Sequence, residues 1–273
     1  MSLAKLEALS DALTEQETKM PVLFVGHGSP MNAIEENEFV QGWRSIAKQI
    51  PLPKAILFVS AHWLTRGTHV TAMQNPQTIH DFGGFPAELF AQQYPAPGDP
   101  QLASEVAAMI KSTKVGLDQS WGLDHGSWSI AKPMYPQANI PCLQLSIDYY
   151  KPASYHYALA KELAQLRKKG VLILGSGNMV HNLRMPDFNR PETGYDWAVE
   201  MNEIFKQKIN QGDHAALMDY EKLGSAAKLA IPTPDHYYPL MYTLGLQEKN
   251  EPVSIFNDKA TFGSITMTSV KIG

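Results

Sequence analysis

Four histidines stand where an active site would gather. His27 follows the apolar run 22–25 and lies in Gly26-His-Gly-Ser-Pro30; His62 follows the run 55–59 and lies in Ser60-Ala-His-Trp63. His181 comes shortly after the run 171–174 and the turn Gly175-Ser-Gly177. His236 sits in Pro232-Thr-Pro-Asp-His236, a proline-rich lead-in to a helix with Asp235 as candidate N-cap. A neutral imidazole is the commonest metal ligand, and it also titrates near neutral pH, so a cluster of them suits metal binding or proton transfer. One histidine after a strand can simply hydrogen-bond a loop carbonyl. Four at the ends of elements point to a shared site. His125, in Gly122-Leu-Asp-His-Gly-Ser-Trp128, is a fifth candidate in a polar, small-residue turn. His69, His156 and His214 lie in or beside strand- or helix-like stretches and read as structural or exposed, while the loop of His80 could reach the site.

Bringing these residues together needs elements that end on one side of the molecule. Apolar runs at 22–25, 55–59, 141–147 and 171–174 suit strands buried on both faces, as in a parallel sheet. Residues 38–49, 100–111, 154–169 and 195–211 place apolar side chains at helical spacing. The alternation predicts an α/β fold, a single domain with a mainly parallel central β-sheet flanked by helices. Ligands of such sheets bind beyond the C-terminal ends of the strands, where His27, His62 and His181 would lie. Residues 253–256 and 262–269 read as late, antiparallel edge strands. The stretch 73–99, rich in Pro, Gly, Gln and aromatics, reads as a long loop over the site. Aromatic residues at 82, 85, 121, 128, 237 and 238 are core candidates that can also line a pocket; Phe82 and Tyr237 are the two assigned to substrate contact.

Other chemistries fail on the residues. Gly175-Ser-Gly177 lacks the third glycine of a dinucleotide-binding turn, and neither a Gly-x-Ser-x-Gly elbow nor a His-Glu-x-x-His pair is present. With 23 basic against 27 acidic residues, nothing recommends nucleic acid or an anionic membrane as a partner. Cys142 is the only cysteine, which excludes an intramolecular disulfide and a zinc ribbon and suits a cytoplasmic protein. No apolar stretch is long enough to span a bilayer. Residues 1–20 lack the apolar core of a secretory signal and read as an amphipathic leading helix, ahead of one catalytic domain over 21–273.

Five ordered motifs now carry a resemblance: Gly26-His-Gly-Ser-Pro30, Ser60-Ala-His-Trp63, Asp81-Phe-Gly-Gly-Phe-Pro86, Gly122-Leu-Asp-His-Gly-Ser-Trp128 and Pro232-Thr-Pro-Asp-His236. From about Pro21 onward the chain resembles the DODA-type (4,5-DOPA) extradiol aromatic ring-opening dioxygenases of the class III extradiol superfamily. The resemblance implies His27, His62 and His236 as metal ligands. It implies His181 as catalytic base, close enough to the metal to be a possible fourth ligand. It implies His125 as a second active-site histidine that contacts substrate or assists proton transfer. Better-known members of the superfamily hold Fe(II) with two histidines and a glutamate, whereas the third position here is His236. An all-imidazole set suits Zn(II) as well as Fe(II). The expected cofactor is one divalent ion, Fe(II) for turnover and Zn(II) plausible as isolated. Zinc has no redox chemistry, so a zinc-only protein would be inert toward O2. The expected partners are a small aromatic diol and O2, bound by a monomer or homodimer. A zinc-dependent hydrolase and a non-catalytic metal-binding protein are the competing readings.

Overall fold

The computed structural model describes residues 19–273. The leading helix expected over 1–20 lies outside the described residues, apart from Lys19 and Met20, which carry no helical turn. Four apolar runs become the parallel strands β1 (Val22–Gly26), β2 (Ala55–Ser60), β3 (Cys142–Gln144) and β4 (Val171–Gly177). Two late strands, β5 (Val253–Phe256) and β6 (Ser269–Ile272), complete a six-stranded sheet in the order β3-β2-β4-β1-β6-β5. The β3–β2, β2–β4 and β4–β1 pairs are parallel, whereas β1–β6 and β6–β5 are antiparallel. The fold is therefore the expected α/β domain with a mostly parallel central sheet. One late strand starts further along than expected: residues 260–261 and 265–266 form a small hairpin of their own, and the strand that joins the sheet is 269–272.

Side-chain alternation along the parallel strands feeds a core on each face. Val22, Phe24, Leu57 and Ile173 pack on one side, and Leu23, Val25, Phe58 and Leu172 on the other. Strands buried on both faces cannot show polar alternation, which is why they read as continuous apolar runs. Helix α1 (Glu38–Gln49) starts where the Asn37 side chain accepts from the amides of Phe39 and Val40, and it buries Val40, Trp43 and Ile46. Helix α2 (Pro100–Met109) starts where Asp99 accepts from the Leu102 amide, with Pro100 pre-set for the first turn. The single helix expected over 154–169 is broken into α4 (Ala153–Lys161) and a short turn at 164–168. Helix α5 (Asp196–Gln211) stops at Gly212, whose φ of 67° is left-handed.

Two helices, one that begins with His125 and one that follows His236, escaped the periodicity reading. Helix α3 (His125–Met134) contains Gly126, Ser127, Ser129 and Pro133, and is buried nearly throughout, so no apolar stripe marks it. Asp124 caps it by accepting from the Ser127 amide. Helix α6 (Tyr238–Gly245) is buried on all sides against α4 and the sheet. Among the described residues no helix is long and apolar enough to cross a membrane.

Candidate metal centre and active site

The parallel strands deliver His27 and His62 directly, since each lies just past the C-terminal end of its strand. Gly28 at φ 59° lets the chain turn immediately after His27, and Asn32 donates to the His27 carbonyl to hold that turn. His236 arrives from the far end of the chain. The segment ahead of α6 crosses tightly over the end of β4: a Cβ at Gly177 would lie 2.1 Å from the His236 carbonyl oxygen. Small residues in Gly175-Ser-Gly177 therefore make room for a histidine-bearing segment, and that is their use here.

The nitrogens converge. His27 Nε2 and His62 Nε2 are 3.1 Å apart, and His27, His62 and His236 each offer a nitrogen within 4.8 Å of the others. Two ligands at right angles around an ion with bonds of about 2.1 Å would stand about 3 Å apart, so the pair fits a shared cation. The outer nitrogens set the tautomers. Ser176 Oγ donates to the Gly126 carbonyl, so it accepts from His27 Nδ1–H at 3.0 Å and leaves the Nε2 lone pair facing the cluster. Asp235 does the same for His236 by accepting from Nδ1–H. Asp235 is not the helix N-cap that the sequence suggests: the position next to α6 is Tyr237, with no side-chain cap, and the Asp235 carboxylate turns to the imidazole. The carboxylate of Asp81 lies 3.5 Å from His62 Nδ1. Such partners orient ligands and raise their basicity.

Burial, and then the neighbouring imidazoles, hold His27 and His236 well below the ordinary histidine range and bring His62 down to about 3. Neutral rings are the form that ligates a metal. His181 is also brought down by burial, to about 4. Its ring stacks on His236 at 3.5 Å between centroids with planes 10° apart, and it falls outside the group formed by His27, His62 and His236. His125 packs against His62 at 3.9 Å between centroids. Its amide donates to Asp81 Oδ1 at 2.9 Å, and its Nδ1 lies 3.0 Å from Asp81 Oδ2 but off the line of a hydrogen bond. Burial pushes the Asp81 carboxyl up, yet His125 and His62 outweigh it and hold it below the usual range. Under this pair, burial and the nearby Asp81 raise Asp124 to about 6.

The five histidines line one cavity of 640 Å³. Phe82 and Phe85 from the 73–99 loop form part of its wall, with Phe39, Phe188, Phe262 and Met267 from elsewhere in the chain. Tyr237 is not in that wall, which corrects its assignment to substrate contact. It is fully buried, donates to the Leu217 carbonyl at 2.9 Å and packs on Phe205 and Tyr220, because the first turn of α6 faces the core. His80 is also outside the cavity and contacts the Gln92 carbonyl. His69, His156 and His214 lie away from it, with His156 bonded to Tyr242 and His214 to Tyr157. Sequence reasoning missed Asp81 as an acid, although it heads a quoted motif, along with Ser176 and the wall segment 183–191.

The sequence profile of the family described as the catalytic LigB subunit of aromatic ring-opening dioxygenase matches residues 19–272. The chain is 45% identical over 263 residues to the 4,5-DOPA dioxygenase extradiol of Escherichia coli K12, covering 94% of this chain and 96% of that protein. It is 35% identical to the 4,5-DOPA dioxygenase extradiol of Beta vulgaris, covering 91% of this chain and 94% of the relative. A crystal structure of an uncharacterized Escherichia coli K12 protein superposes with a TM-score of 0.82 at 41% identity, over 93% of this chain and all of that one.

Proposed function

This chain belongs to the family of the catalytic LigB subunit of aromatic ring-opening dioxygenases and is an extradiol ring-cleaving enzyme that uses a metal, and on that premise we propose that it opens the ring of a small, DOPA-like catechol with O2. The supporting observation is the convergence of three neutral imidazole nitrogens, with 3.1 Å between those of His27 and His62, on the floor of an aromatic-walled cavity. His27, His62 and His236 are the proposed ligands, with Fe(II) as the working ion and Zn(II) as one the same nitrogens would also retain. When bound, Fe(II) supplies the one-electron chemistry that lets a catechol react with O2.

The chain's own residues do the rest. His181, which lines the cavity beside the three proposed ligands, is the histidine assigned to accept a hydroxyl proton from the catechol. Its stacking on His236 favours this role over that of a fourth ligand, since three imidazoles already complete the set. His125, beside His62 and tethered through its amide to Asp81, is positioned to hold the second hydroxyl or return a proton. Phe82 stands edge-on to His125 at 5.6 Å, and with Phe85 it offers an apolar cover that excludes water from the ring. The relatives described above are named as dioxygenases and give no support to the zinc hydrolase or the simple binding protein.

The test is oxygen-electrode uptake by Fe(II)-loaded protein, kept anaerobic until mixing, with L-DOPA, caffeate, protocatechuate and plain catechol. One O2 consumed per catechol, with a yellow semialdehyde, is expected for at least one of them. Uptake no greater than that of free iron with every catechol, at full Fe(II) occupancy, would refute the proposal.

A further inference from the structure

The cavity wall carries an unbalanced charge pattern. Among the described residues no lysine or arginine lines it. Its acidic lining residues are Asp81, engaged with His125 and His62 on the floor, and Glu35, which is exposed at the mouth. The acids flanking Glu35 are neutralised: Glu36 pairs with Arg44 and Glu38 with Lys259. Glu35 has no such ion pair among the described residues. Other cations nearby are outside the lining or already engaged. Lys259 serves Glu38 and Glu192, Arg190 pairs with Asp187, and Arg184 lies next to the lining residue Leu183 without itself forming wall. The rest of the lining is uncharged apart from the histidines: mostly apolar, with Phe39, Leu183, Pro186 and Phe188, and with Ser29, Asn32, Asn37 and Thr261 as its neutral polar groups.

A catechol with its hydroxyls at the imidazoles directs its ring substituent along this apolar wall toward the mouth. An anionic substituent there meets no lysine or arginine and is repelled by Glu35. An ammonium meets a carboxylate instead, one that no lysine or arginine of the described residues neutralises, although its exposure to solvent keeps the attraction modest. We infer that the cavity selects catechols by the charge of the ring substituent, accepting an amine-bearing side chain, rejecting a lone carboxylate, and using Glu35 as the selector. This rests on the catechol reading above and narrows it. A zwitterionic amino-acid side chain falls between the two extremes, and a neutral alkyl group is tolerated by the wall.

The experiment separates this inference from the reading beneath it. Zn(II)-loaded protein, inert toward O2, is titrated anaerobically by calorimetry with three catechols of matched length: dopamine, 4-ethylcatechol and 3,4-dihydroxyphenylpropionate. Dopamine is expected to bind at least about tenfold tighter than the propionate, with 4-ethylcatechol between them. Glu35→Gln should bring dopamine close to 4-ethylcatechol, and Glu35→Lys should invert the order of amine and acid. Glu35 is exposed, so neither change threatens folding. Propionate binding as tight as dopamine, unchanged ratios in both variants, or no binding of any of the three would overturn the inference. O2 uptake with 4-ethylcatechol by Fe(II)-loaded protein reports separately on ring cleavage: a charge order without uptake would leave the selector standing and remove the reaction.

Discussion

Replacing Gly177 by alanine should cost the protein its metal more than its fold. The added Cβ would sit 2.1 Å from the His236 carbonyl oxygen and 3.0 Å from its carbon. Nonbonded heavy atoms settle near ~3.5 Å, so the backbone at His236 or at Gly177 must retreat by more than about 1 Å. Gly177 is pinned by its place in β4, paired with Gly26 of β1, so the His236 segment is the part that gives way. That segment supplies a nitrogen of the cluster, and its Nδ1 partner Asp235 moves with it. Overpacking of this kind costs about 1–3 kcal/mol of stability, and disturbing the support of a metal ligand costs about 10–100-fold in metal affinity. Metal content after dialysis against a graded chelator, read by elemental analysis beside a thermal melt, checks both. The expected variant is folded, melts a few degrees lower, and releases metal at far lower chelator. Gly83→Ala is the control, because nothing lies within 4 Å of its added Cβ. A Gly177→Ala protein with the parent's metal retention would refute the argument that β4 and the His236 segment are held in contact to build the site.

Removing a nitrogen directly should act more strongly: His62→Ala is expected to lose most bound metal by elemental analysis, and full content would remove His62 from the ligand set. His181→Gln should keep its metal and bind catechol anaerobically while turnover falls on the order of 100-fold or more, the range of a lost general base; metal lost together with activity would make His181 a ligand instead. Asp81→Asn should lower metal affinity or activity by about 10–100-fold, because the carboxylate steadies both His62 and His125, and unchanged kinetics and metal affinity would contradict that role. Far from the site, Glu251 closes the buried Arg167 fork; burial pushes its carboxyl up, but Arg167 and Lys19 prevail and bring it down to about 2. A carboxyl lower in the folded than the unfolded state contributes stability above the unfolded value. That contribution should fade as pH falls from about 4.5 toward 2, and Glu251→Gln should flatten this part of a denaturation-versus-pH curve.

The site was legible where chemistry and strand ends coincide. His27 and His62 follow unbroken apolar runs, and a parallel sheet has nowhere else to put the residues after such runs. His236 joined the candidates through its place at a helix entry, but its role as a ligand needed the motif resemblance, because nothing in its local pattern says that its segment crosses β4. The supporting partners were hidden for a physical reason: Ser176, Asp81 and Asp235 act through bonds to residues brought close only by tertiary packing, or through a rotamer that competes with helix capping. Tyr237 misled because a tyrosine beside a ligand can face core or cavity, and the turn into α6 decides which. The fold was legible in its central strands and in helices with one apolar face. Helix α6 shows no apolar face and was legible only through its proline-rich lead-in; helix α3, also buried nearly all round, was not legible, and neither was the pairing of residues 68–71 with 115–118, a small parallel sheet outside the main one.

The central claim is extradiol opening of a catechol at the His27, His62 and His236 centre, and isotope incorporation tests it most directly. Fe(II)-loaded protein is mixed with 18O2 and the catechol that supports uptake, and the product is trapped and weighed by mass spectrometry. The account predicts a ring-opened semialdehyde carrying both labelled oxygen atoms, allowing for exchange at the aldehyde, and no such product from His62→Ala. A muconic diacid cleaved between the two hydroxyls, or a ring-opened product without label, would contradict it.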